Sequence, residues 1–442
     1  MIYAAGQPIT HAATASTSGL PYAPHTFAWA FDDGTQGSGA STTKTYATSG
    51  YHVSTVTATD QVTGGTASAS KTITVVGGSV SSTSLNTGRA KHASILLNNG
   101  KVLITGGFAN VVTSSPLASC EIYDPSSGTF TPTGPLNTAR GLHKLVKLPN
   151  GNVMAVGGVT LSTNAGDWYY GNAGNLTSCE IYDVVSGTWS ATGSTSFARV
   201  QHFLELLPDG TVITGGGIAV GGPTATVEIY NPATGIWSPG PSLPYNLGST
   251  ASVVLANGVL ALFGGYVSTG LNSVGPKNGK GVLFLSGSTF INMADYPGYP
   301  NGVYQVPGKI DGYALQVGDN VVFVGGHDWG NIRYGTDIGV YSISGNTWSF
   351  NNSSPLISPD HTSDYAAGYA ANSSVILSAG PWNLVNAYGV TYNTMLPNVA
   401  KQSGGATATY LGNGYVLVCG GGSAATSYQA GLTDAYLYLI GA

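Results

Sequence analysis

The sequence predicts an all-β protein in two units, a small N-terminal antiparallel sandwich followed by a ring of seven four-stranded sheets. Three observations carry this reading. Val, Thr and Tyr alternate with small polar residues over short runs broken by Gly-rich turns, and no stretch bears a helical apolar stripe. One phrase also recurs, as "GRAKHASILLNNGKVLITGG" from Gly88, "ARGLHKLVKLPNGNVMAVGG" from Ala139 and "ARVQHFLELLPDGTVITGGG" from Ala198.

Composition narrows the class further. The 442-residue chain is 42% hydrophobic, enough for a large core, yet only 7% charged, against roughly 25% in an average soluble protein. Its 14 basic and 19 acidic residues leave a net charge of −5 without any cationic cluster, which argues against nucleic-acid binding. No run reaches the roughly 18 apolar residues of a membrane span. A hydroxyl-rich, nearly uncharged surface is expected of an extracellular or virion-surface protein. The start, "MIYAAGQPITHAATAS", lacks the basic and apolar regions of a secretory leader. A leader already removed, or release without one as for a virion protein freed by lysis, both fit.

Residues 1–76 form the first unit. Within it, Trp29-Ala30-Phe31-Asp32-Asp33-Gly34 and the segment Tyr46 to Tyr51 resemble the signature of the PKD type of immunoglobulin-like sandwich, with Asp32 in place of the usual Gly. The resemblance implies Trp29 and Phe31 on the core face and Asp33-Gly34 in a turn. Calcium at Asp32 and Asp33 is the minor alternative. The stretch "GGSVSS", residues 77–82, reads as a flexible joint by composition.

Residues 83–442 hold the ring. Glycine marks at Gly106, Gly157, Gly215, Gly264 and Gly325, a degenerate Ala379-Gly380 and Gly420 close apolar runs at intervals of 41 to 61 residues. In the second repeat "HKLVKLP" is strand one, Asn150-Gly151 a hairpin turn and "NVMAVGG" strand two, with Gly158 permitting close backbone approach. "SCEIYD" is strand three, and "SGTWSATG" turns into strand four, where Trp189 packs between blades. Phe130, Trp237, Phe290 and Trp348 recur at that place. After the last glycines a single strand, "DAYLYLI", remains, so "SVSSTSLNTGR" is expected to supply the missing outer strand and close the ring. Arg-x-x-His before strand one and Glu-Ile-Tyr-Asp in strand three resemble the bacterial form of the kelch family, whose fold is a β-propeller.

His92, His143 and His202 hold one repeat position, Arg89, Arg140 and Arg199 a second, and Glu121, Glu180 and Glu228 a third. Charges recurring in register within so uncharged a chain serve each blade's packing, with Arg bonded to carbonyls or to the recurring Glu. Metal ligation by three converging imidazoles is the lesser reading. Cys120 and Cys179 occupy equivalent sites about 10 Å apart across neighbouring sheets, beyond the ~7 Å Cα limit of a disulfide, so free buried thiols are expected.

The kelch resemblance offers a sharper test. Oxidases of the galactose-oxidase type bind copper through a Tyr-His pair at this position, a second Tyr in another blade and a Cys bonded to it. Here Lys91, Leu142 and Gln201 precede the histidines, and no cysteine falls in strand one. That argues against copper-radical oxidation, and no cofactor is expected. No Gly-x-Ser-x-Gly elbow or phosphate loop is present either.

Strand alternation places the loops between strands two and three at the same end of the ring as the loops between blades. On this end fall Trp168, Tyr169 and Tyr170, then Tyr266 and Tyr299, then His327, Asp328, Trp329 and Arg333, and finally Asp360, His361, Tyr365 and Trp382. Aromatics among Asn, Asp and Gly suit sugar rings, whose C–H faces stack while hydroxyls take fixed polar partners. A metal shared by His327, Asp328, His361 and Asp364 is a weaker candidate. The expected function is non-enzymatic recognition of a glycan or a protein receptor through this end. Structural decoration with neighbouring subunits as partners, and a sugar-modifying or oxidase activity, are the alternatives.

Overall fold

The computed structural model describes residues 2–4, 8–15, 24–47, 50–76, 79–110, 115–160, 174–265, 282–293, 310–327, 338–351, 366–369, 376–379, 384–386, 393–395, 402–411, 415–423 and 431–439. Among the described residues there is no helix.

In the N-terminal unit, His25–Phe31, Gly50–Asp60 and Thr66–Val76 form an antiparallel sheet edged by Gln36–Ser38 and, in parallel, by Ile2–Ala4. Pro8–Ala12 pairs with Ser41–Thr45 as a separate ribbon. Alternation along His25–Phe31 turns Trp29 and Phe31 to one side, where they are buried with Ile9, Tyr46, Ile73 and Val75. His11 lies edge-on to Trp29 and Phe31, and burial lowers its pKa. Asp33 and Gly34 occupy the turn, Gly34 with φ 81°. The Asp33 carboxylate accepts hydrogen bonds from Lys44 and Thr35, and that of Asp32 pairs with His52 at 3.0 Å.

Seven four-stranded antiparallel sheets follow among the described residues. In the first, Ala93–Leu96, Val102–Thr105, Cys120–Asp124 and Thr129–Thr133 run from the innermost strand outward. Innermost strands lie against one another from Ala93–Leu96 through Lys144–Lys147, Phe203–Leu206 and Ala251–Val254 to Ile310–Val317, while Gln402–Tyr410 contacts both Ala366–Tyr369 and Ala93–Leu96. This is a β-propeller. Strand two of each of the first four sheets is buried at every residue, because both faces of a blade are covered by its neighbours. The core therefore consists of layers between blades. Leu97, Leu103 and Cys120 of the first sheet pack on Val153, Tyr182 and Trp189 of the second, and Phe130 packs on Leu417 and Ala435 of the seventh.

Two boundaries differ from the sequence expectation. Ser79–Ser84 pairs with Asp434–Leu439 as the outer strand of the seventh sheet, so most of the stretch read as a joint, 77–82, belongs to the propeller. Composition favoured a linker, but the open edge of Asp434–Leu439 provides the pairing that orders it. In the third blade the glycine mark is Gly216 rather than Gly215. Gly216 and Gly217 hold φ 57° and 81°, matching Gly106 and Gly107 at 61° and 88°, whereas Gly215 is the last residue of strand two.

Candidate functional site

The recurring Arg and Glu meet inside each of the first three blades. Arg140 is fully buried, and its guanidinium donates to the carbonyls of Gly157 (2.8 Å) and Ser178 (2.9 Å) and to Glu180 Oε1 (2.7 Å). Glu180 in turn accepts the backbone N–H groups of Asn137 and Thr138, which tie the segment entering the blade to strand three. Arg89 with Glu121 and Arg199 with Glu228 repeat the arrangement at 2.8 and 2.6 Å. A buried charge pair needs such saturation, because a remaining unpaired lone pair or proton in low dielectric costs several kcal/mol.

The histidines stand between blades. His143 Nε2 shares a 2.7 Å hydrogen bond with Thr105 Oγ1 of the preceding blade, and His92 Nε2 shares one at 2.8 Å with Thr407 Oγ1. Each ring fills a slot left by a glycine: a Cβ on Gly106 would lie 2.9 Å from His143 Cε1, and one on Gly157 would lie 3.0 Å from His202 Cε1. The second glycine of each pair stitches blades together, Gly107 N–H donating to the Arg140 carbonyl at 3.0 Å and Gly158 N–H to that of Arg199 at 3.2 Å. At the third blade the counterpart of Thr105 is Val156, which offers no hydrogen bond, and among the described residues neither nitrogen of His202 has a hydrogen-bond partner. Burial first, then the neighbouring arginines, drives all three pKa values down, that of His92 to about 3. They are neutral imidazoles. Among the described residues no three His, Cys, Asp or Glu side chains come together as a metal group. Cys120, Cys179 and Cys419 are buried free thiols whose pKa values burial pushes up to about 11, with the first two in strand three and Cys419 in strand two.

The residues before the histidines form a feature that composition and spacing did not reveal. Lys91, Leu142 and Gln201, with Ser249 at the matching place in the fourth blade, all adopt left-handed backbone conformations, φ 52° to 56°. For residues with a side chain this costs about 1 kcal/mol each. They head the innermost strands, so they ring the axis at the loop-bearing end. Leu142 N–H donates to the Lys91 carbonyl and Ser249 N–H to that of Gln201, both at 3.0 Å, and Ser249 Oγ–H donates to Gln201 Oε1 at 2.9 Å. Beside this ring, toward the loop-bearing end, Ala90, Phe108, Val159, Val200 and Ile218 form an apolar layer against Leu142. Further down, Ser252 Oγ–H donates to Glu205 Oε1 at 2.7 Å, and although Glu205 keeps part of its surface exposed, the strands around its carboxyl raise its pKa by desolvation.

The fourth blade lacks the charge pair. Leu247 stands at the Arg position, Leu283 at the Glu position and Thr250 at the His position, and the two leucines are buried in one cluster. The constant fourteen-residue step from His92, His143, His202 and Thr250 to the first glycine of each pair was the sequence signal that would have placed them.

Trp168, Tyr169, Tyr170, Tyr266, Tyr299, Asp328, Trp329, Arg333, Asp360, His361, Asp364, Tyr365 and Trp382 lie outside the described residues. The backbone of His327 ends the strand Asn320–His327. The strands that flank the loops are described: Val153–Val156 leads out of, and Cys179–Asp183 back into, the same end of the ring. Residues 1–75 match the PKD domain, and residues 89–137 and 207–244 match the Kelch motif. No curated protein matches the chain.

Proposed function

We propose that this chain, a PKD domain followed by Kelch motifs, is a non-enzymatic binding protein of a cell or virion surface that recognises a glycan or a protein receptor through the loop-bearing end of its propeller. Domains of both kinds are often used in protein–protein or carbohydrate interaction. The reading is supported by the left-handed residues Lys91, Leu142, Gln201 and Ser249, which head innermost strands at the end of the ring where described strands flank the segments whose sequence is rich in aromatics. The PKD unit spaces or attaches the ring.

An oxidase reading is disfavoured by chemistry. The position that precedes each recurring histidine carries an ammonium, an alkyl group or an amide, none of which forms a radical or a copper–phenolate bond. Elemental analysis of purified protein is expected to find no stoichiometric copper, and one copper per chain would overturn the reading. For binding, a glycan array and a cell pull-down are expected to lose signal at least tenfold with Trp168→Ala or Trp329→Ala. Wild-type signal in both variants would move the site to another surface.

A further inference from the structure

The last strand of the N-terminal sandwich, Thr66–Val76, is an edge left open for most of its length. One side pairs with Gly50–Asp60 without a break in register, and the other meets Ile2–Ala4 only at Thr74, Val75 and Val76. No other strand among the described residues pairs with it. Every residue from Thr66 to Thr72 is exposed. The direction of their backbone groups follows from two neighbours. The Val53 carbonyl accepts from Asp32 N–H on the far side of Gly50–Asp60, and Asp60 N–H donates to the Gly65 carbonyl on the near side. Alternation therefore turns the N–H and C=O groups of Ala67, Ala69 and Lys71 inward, and those of Thr66, Ser68, Ser70 and Thr72 outward.

Edges of this kind are usually blunted by proline, a bulge or several charges. The open stretch has neither proline nor bulge, and Lys71 is its single charge. Its sequence, Thr-Ala-Ser-Ala-Ser-Lys-Thr, offers no large side chain or pocket by which a foreign peptide would be selected. It is, however, nearly palindromic about Ala69. Laid antiparallel against itself, it sets Thr66 opposite Thr72, Ser68 opposite Ser70 and Ala69 opposite Ala69, so that outward backbone groups meet outward backbone groups across a two-fold axis. Lys71 then faces Ala67 rather than a second ammonium. The hydroxyl ladder inside the sheet, Thr57 with Ser68 and Thr55 with Ser70 at 2.8 Å each, would continue through the new Ser68–Ser70 pairs. We propose that Thr66–Thr72 is a self-association edge, to which a second copy of this chain adds its own Thr66–Thr72 as an antiparallel strand, joining two sandwiches into one continuous sheet. A contact of one strand per chain is small, so the association is weak, and it brings two propellers into one particle.

Sedimentation of the full-length protein over a hundredfold range of concentration is expected to show a mass rising from one chain toward two. Ala69→Lys places an ammonium on each side of the two-fold, at a position exposed in the single chain, and is expected to weaken association at least tenfold. Ser68→Pro removes an outward N–H rather than one in the existing ladder, and is expected to weaken it as much while the thermal midpoint stays within a few degrees of wild type. The decisive sample is labelled Ala69→Lys mixed with unlabelled Ala69→Asp. The labelled chain is expected to sediment as a dimer again, a recovery that a misfolded variant would not give. A wild type that stays monomeric throughout overturns the inference, and so does a mixture that fails to recover. Self-association that survives both Ala69→Lys and Ser68→Pro overturns it as well, because the contact then lies on another surface.

Discussion

At the residue scale, the fourth blade is a natural control for the first three. Its Leu247 and Leu283 occupy the Arg and Glu positions together, so the two sites change as a unit. Removing one partner of a buried pair leaves an uncompensated charge, which costs about 3–5 kcal/mol, whereas replacing both with apolar groups of similar volume is nearly neutral. Urea unfolding of Arg140→Leu is expected to show a loss of that size, with most of it restored in Arg140→Leu/Glu180→Leu. A double variant as weak as the single one would refute the unit. The histidines give a second expectation. Their folded pKa values lie below the ordinary 6.5, so unfolding takes up protons once pH drops below 6.5, and their contribution is complete above that value. Stability should be flat from about pH 7 to about pH 8, below the range in which the buried thiols matter, and decline between about 6.5 and 4, before carboxylates such as Asp183, held low by backbone N–H donors, begin to protonate. Each histidine adds about 1.4 kcal/mol per pH unit to the slope. Chemical denaturation across that window, with His143→Gln flattening the decline, is the measurement.

At the scale of elements, the closing strand decides the integrity of the ring. Ser79–Ser84 is the sole outer partner of Asp434–Leu439 among the described residues, and the last strand of the sandwich ends at Val76, close before it. Deleting residues 1–76 is expected to leave the propeller's melting temperature within a few degrees of its original value. Deleting residues 1–84 exposes a long apolar edge, "DAYLYL", and is expected to lower the melting temperature and to promote aggregation. Calorimetry and light scattering on the two truncations separate these outcomes, and equal behaviour would mean that the pairing contributes little. The sequence showed this strand through the match between "SVSSTSLNTGR" and the outer strand of later repeats, but its composition also read as a linker. The pairing with Asp434–Leu439 distinguishes the two.

At the scale of the whole molecule, the fold is held by blade-to-blade burial rather than by cross-links. Native protein is expected to show no thiol reactive toward Ellman's reagent, and three after denaturation, since all three cysteines are free, buried and shifted toward the neutral thiol. A reactive native thiol would show that a blade interface opens. Strand periodicity, the glycine marks and the in-register Arg, Glu and His determined the class, the repeat and the approximate blade limits by themselves, because each is a local or strictly periodic constraint written into neighbouring residues. That Lys91, Leu142, Gln201 and Ser249 turn left-handed, and that Leu247 and Leu283 share one buried cluster where the first three blades hold a charge pair, were decided only in three dimensions. Those features arise where one blade meets the next. Contacts between residues some fifty positions apart leave no periodic trace in a single chain segment, whereas the alternation along a strand does.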